Sequence, residues 1–118
     1  MPYIKNENNR REELRNGVIA LTAGELNFQI FSYILDIGTK KGFHRYNKLI
    51  VIKMVKNFLG DQPNYQKYND MVGCLTCCYK ELKRRYDAKI NFLLNIIDMY
   101  DNQIADYEDI KIKENGDV

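Results

Sequence analysis

The sequence predicts a mainly α-helical chain: antiparallel helices, one long C-terminal helix and a short C-terminal β-strand, assembled as an oligomer. Three observations lead there. Apolar residues recur at helical spacing over long stretches. Proline occurs only at positions 2 and 63, so little interrupts those stretches. The residues 107–113 instead alternate polar and apolar, which is the period of a strand.

The first helix is expected over 9–23, with Leu14, Val18 and Leu21 on one face. Thr22-Ala23-Gly24-Glu25 reads as a stop and a restart. The second helix, over 25–38, is apolar nearly all round and should be well buried. Gly38 and Gly42 bracket a basic turn that holds His44, the sole histidine. The third, over 46–59, is rich in Ile and Val, so a strand is conceivable. Leu49, Ile52 or Lys53, Lys56 and Leu59 favour a helix by their spacing. Gly60-Asp61-Gln62-Pro63 ends it.

From 64 to 105 no proline intervenes and Gly73 is the sole glycine. The apolar seam reads Leu75, Tyr79, Leu82, Tyr86, Ile90, Leu93, Ile97, Tyr100, Ile104. Its steps alternate between three and four residues, with one extra four-residue step from Tyr86 to Ile90. Asn64, or Asn69 with Asp70, is suited to cap the start. An unbroken helix of about 38 residues would be roughly 57 Å long. Such a helix either breaks near the stutter or packs on a second chain. The second chain is the favoured expectation, with a kink near 87–91. A strand over 107–113 would likewise need a partner for its backbone groups. The expected organisation is one helical domain, 1–118, with a strand-like tail at 107–113.

Charge and cysteine content exclude several function classes. Eighteen Lys and Arg against 16 Asp and Glu give a net charge of +2, too mild to point to nucleic acid by itself. The distribution is uneven. Residues 37–60 carry cations and no anion, whereas residues from 98 onward carry seven anions and two cations, so the two regions can attract each other. Cys74, Cys77 and Cys78 cluster too tightly for a disulfide framework and read as small buried hydrophobes. No tetrahedral metal set and no phosphate-binding glycine loop is present in one chain, so no metal, cofactor or enzymatic activity is expected. No apolar run is long enough to span a membrane. The charged opening residues show no apolar leader, so a cytoplasmic location is expected.

Two sets of residues carry a resemblance. One is MPYIK with GELNFQI at 24–30. The other is NYQKYNDMVGCL at 64–75, KELKRR at 80–85 and YEDIKIKENGDV at 107–118. Together they resemble a family of short phage- and prophage-associated proteins with a GELN motif and a YED-x-KI-x-ENGDV tail. The chain also looks like the phage anti-Thoeris sponge proteins, which bind a cyclic ADP-ribose immune signal without cleaving it. The resemblance implies a binding protein in the bacterial host cytoplasm that sequesters a cyclic ADP-ribose or cyclic dinucleotide signal and so inhibits anti-phage defence. It implies pockets between subunits, so the partners would be that nucleotide signal and other copies of the chain. Its ligand-binding positions would be Tyr79 or Tyr86 for the aromatic, Tyr107 and Asp109 in the YED segment, and Arg84 with Arg85 for phosphates. The sequence departs from the pattern at the YED segment. The YED segment should follow the arginine pair closely, yet residues 86–106 intervene here. The alternatives are a helical homo-oligomer that binds a host protein, or a nucleic-acid binder using the basic stretch 40–56. The latter is the weaker, because that stretch has no recognition-helix pattern.

Overall fold

The computed structural model describes residues 4–5, 7–37, 45–87 and 90–116. The basic turn and His44 lie outside the described residues. The described residues form five α-helices: α1 (Arg10–Arg15, after a 3-10 turn at Glu7–Asn9), α2 (Ala23–Ile37), α3 (Arg45–Leu59), α4 (Tyr65–Tyr86) and α5 (Phe92–Asn115). No strand occurs among the described residues. No described helix is long and apolar enough to cross a membrane.

Local chemistry sets each boundary. The helix expected over 9–23 stops at Arg15, because Gly17 takes φ +97. Its N–H donates to the Leu14 carbonyl at 3.1 Å, and the Val18 N–H donates to Glu13 at 3.1 Å. This paired closure is the Schellman stop that glycine permits. The buried Gln29 side chain then donates to the carbonyls of Leu14 at 2.8 Å and Val18 at 2.9 Å, fixing the loop to α2. Val18 and Leu21 consequently leave the expected helical face and are exposed.

The restart at α2 is a capping arrangement. Thr22 Oγ1 accepts from the Glu25 N–H at 3.1 Å, while Glu25 Oε1 accepts from the Leu21 N–H at 2.9 Å. Arg10 clamps the same carboxylate with two bonds, 2.7 and 2.8 Å long. Further on, Gly60 at φ +74 closes α3, and Asn64 Oδ1 caps α4 by accepting from the Lys67 N–H at 2.9 Å.

The seam over 64–105 does not belong to one continuous helix. Asp87 adopts φ 50, ψ 40 and donates its N–H to Lys83, which ends α4. Asp is among the few residues that tolerate this left-handed conformation. α5 then returns antiparallel along α4. The break falls at the stutter, and α4 covers the seam of α5 within the same chain. A straight helix of roughly 57 Å would also exceed the longest dimension of the molecule, 46 Å. Leu75, Leu82, Ile90 and Leu93 are fully buried in the resulting core with Leu26, Ile30, Val55 and Met71.

The tail corrects a second expectation. Residues 107–113 are helical, because α5 runs on to Asn115. The apolar series Leu93, Ile96, Tyr100, Ile104, Tyr107 carries helical spacing past the start of the alternating segment. A helix also satisfies its backbone groups internally, whereas an isolated strand leaves them unpaired. Ile110 and Ile112, which gave the strand-like alternation, are both exposed.

α4 is the central element and packs against α2, α3 and α5. The helices α2 to α5 alternate in direction. At one end lie the C-termini of α2 and α4; at the other lie the start of α4 and the far half of α5. Cys74 and Cys78 are buried in this core, but Cys77 is exposed and is not the small buried hydrophobe expected. Cys78 donates its thiol to Asn27 Oδ1 at 3.3 Å. Burial pushes the Cys74 thiol up to about 12 and raises Cys78 as well.

Candidate functional site

The sequence-predicted binding residues divide into two groups. At the C-terminal end of α4, Arg85 lies 5.3 Å from the Tyr86 ring and 5.9 Å from the Phe31 ring. Tyr86 meets Phe31 edge-on with centroids 6.3 Å apart. Arg85 Nη1 also reaches the buried Glu81 carboxylate at 3.4 Å. Arg84 is exposed beside them. Tyr79 sits two turns earlier, half-buried, with Lys83 Nζ 3.5 Å from its hydroxyl. This end offers two guanidiniums and aromatic faces, a combination suited to phosphate and base.

Tyr107 is elsewhere. Its hydroxyl accepts a hydrogen bond from the Tyr65 N–H at 3.0 Å, and its ring lies 5.5 Å from that of Tyr68. Tyr68 and Tyr86 are separated along α4 by roughly 27 Å at 1.5 Å per residue. The segment 86–106 explains the split, since it supplies the end of α4, the break and most of the returning helix. It therefore carries the YED residues back to the start of α4 instead of leaving them beside the arginines. Asp109 is exposed on the last turns of α5 and joins neither group.

Around Tyr107 the two helices form a cleft of about 180 Å3, lined by Tyr65, Tyr68, Asn69, Val72, Ile104, Tyr107 and Glu108. Three phenol rings supply flat apolar walls. The Asn69 amide and the Glu108 carboxylate supply polar edges. Burial, with a smaller contribution from Tyr107, raises the Tyr68 hydroxyl above its usual range, so it stays protonated and able to donate at neutral pH. Lys111 Nζ stands 5.5 Å from the Tyr107 centroid. The cleft is smaller than the roughly 300–1,000 Å3 of small-molecule pockets, of a size for a flat base alone, and it has no guanidinium among its lining residues.

Sequence reasoning singled out Tyr107 but missed Tyr65, Tyr68 and Asn69. The available signal was the stretch 64–75, whose two tyrosines stand three residues apart and share a helical face. No protein-family model, curated protein or solved structure matches the chain. Function therefore rests on the residues. Among the described residues, no group of three His, Cys, Asp or Glu side chains is placed to hold a metal ion.

Proposed function

We propose that the chain is a non-catalytic binding protein that sequesters a nucleotide-derived immune signal, of the cyclic ADP-ribose or cyclic dinucleotide type. The observation that carries this reading is the meeting of Tyr65 and Tyr68, from the stretch 64–75, with Tyr107, from the YED stretch, in one cleft. Both stretches belong to the resemblance, they are far apart in sequence, and together they build an aromatic, base-sized site. Base stacking on such rings contributes about 1–3 kcal/mol per base in nucleic-acid systems.

A cyclic signal also carries phosphates, which need cations. In one chain Arg84 and Arg85 are too remote to serve this cleft. A second copy packed antiparallel would bring its basic α4 end to the acidic end of α5, and its arginines to the aromatic cleft. The proposed working unit is therefore a homo-oligomer. A sponge needs affinity instead of acid–base chemistry, and nanomolar capture corresponds to about −12 kcal/mol.

The experiment is a thermal-shift screen with cyclic ADP-ribose isomers and cyclic dinucleotides. At least one should raise Tm by mass action. Replacing Arg84 by Ala should weaken that response without changing the Tm of the free protein. A flat response across the panel would reject the reading.

The exposed end of α5 favours a second reading. Ile110 is exposed with Asp106 and Glu114 one turn to either side on its helical face, which suits a helical interaction protein that docks on a basic host partner. A pull-down with and without Ile110→Asp separates the two.

A further inference from the structure

A different cleft, of about 350 Å3, lies between the α1–α2 loop and α3. Its polar lining includes Arg15, Asn16, Lys53 and Asn57, and its walls include Tyr33 and Ile50. Among the described residues no Asp or Glu lines it. Two cations, primary amides and one aromatic side chain with apolar neighbours thus meet in one cleft. Small-molecule pockets span about 300–1,000 Å3, and this volume falls within that range.

The fold holds these groups in place. Arg15 is the last residue of α1, and its guanidinium rests 5.2 Å from the Phe28 ring. The nearest carboxylate to it, Glu12, is 3.8 Å away, and both side chains are about half exposed. A long, solvated pair of this kind competes weakly with an incoming anion. Gly17 and the Gln29 bonds to the Leu14 and Val18 carbonyls fix the loop that presents Asn16. Across the cleft, Tyr33 donates its hydroxyl to Asn47 Oδ1 at 2.9 Å, which sets its ring against α3. Lys53 and Asn57 are four residues apart on α3 and so share one face.

We infer that this cleft binds an organic phosphate of about mononucleotide size. Arg15 and Lys53 would take the phosphate, Arg15 through its planar fork. Asn16 and Asn57 would meet polar edges of the body, with Tyr33 and Ile50 against its flat faces. The inference is independent of the sponge reading, because the cleft shares no residue with the tyrosine cleft or with the α4 arginines.

The test is an NMR titration of the full chain with AMP, and separately with inorganic phosphate. AMP should produce saturable shifts at the amides of 15–17 and 53–57, and should bind more tightly than inorganic phosphate. Arg15→Gln and Lys53→Gln should each weaken AMP binding by about tenfold, the loss expected for one charge-assisted bond. Asn57→Asp, which adds a carboxylate to the cleft, should abolish it. Lys53 and Asn57 are exposed, so their variants should retain the wild-type Tm, whereas Arg15→Gln should lower it slightly through loss of the Phe28 contact. Four results would each overturn the inference: no saturable shift, shifts confined to Tyr65, Tyr68 and Tyr107, equal affinity for AMP and phosphate, or wild-type affinity in all three variants.

Discussion

The Tyr107 hydroxyl accepts a hydrogen bond from the backbone N–H of Tyr65, 3.0 Å away. Tyr65 is the first residue of α4, where helix N–H groups have no partner in their own helix. A side chain from α5 thus completes the start of α4, alongside the Asn64 cap. The same contact closes one wall of the aromatic cleft, so it links the stability of the helical hairpin to the proposed site.

Tyr107→Phe tests this link. The variant keeps the ring beside Tyr68 but removes the acceptor. It should cost about 0.5–1.5 kcal/mol in urea unfolding. Wild-type stability would show that the bond contributes nothing.

The break between α4 and α5 makes a prediction whose sign is diagnostic. Asp87 lies in the left-handed region at φ 50. There Asp87→Gly should be more stable than Asp87→Ala by about 1 kcal/mol. In an uninterrupted helix the order reverses, with Ala ahead of Gly by about 1 kcal/mol. Chemical denaturation of the two variants decides between them.

Acid stability should depend on Glu25. The hydrogen bonds from Arg10 hold its carboxyl below the usual range, against the opposing effect of burial. A depressed folded value means that its stabilisation is present above the ordinary carboxyl range, near about pH 4.3, and is lost as pH falls through the folded value. Wild type and Glu25→Gln should therefore differ in Tm at pH 7 and converge as pH falls below the ordinary carboxyl range. Parallel curves would contradict the assignment.

Thiol reactivity should follow burial. Cys77 is exposed, whereas Cys74 and Cys78 are buried with raised values. One thiol should react quickly with an aromatic disulfide reagent in the folded protein, and the remaining two should react only after denaturation. Rapid reaction of all three would place the cysteines outside the core.

Much of the architecture was legible because glycine and proline mark it. Gly60 and Pro63 bound α3, and Thr22 with Glu25 starts α2 where the restart was read. Three features were hidden. Gly17 sits inside a helical pattern, and its stopping role depends on Gln29, which comes from the next helix. The stutter marked a kink near 87–91, but the full left-handed break at Asp87 was hidden, because that conformation is one option among several for Asp. The alternation of Ile110 and Ile112 imitates a strand, yet both residues lie on an exposed helical extension. The site was half legible for a related reason. Tyr107 stood out in the sequence, but its partners depend on where α4 breaks, and the break places it beside Tyr65 and Tyr68 instead of Arg84 and Arg85.

Capture without cleavage is the proposed activity, and ligand depletion measures it directly. The protein is mixed with a cyclic ADP-ribose and cyclic dinucleotide panel, filtered, and then denatured, with both fractions weighed by mass spectrometry. At least one nucleotide should disappear from the filtrate and return on denaturation with its mass unchanged. A filtrate that retains every nucleotide, or a returned product of altered mass, would contradict the account.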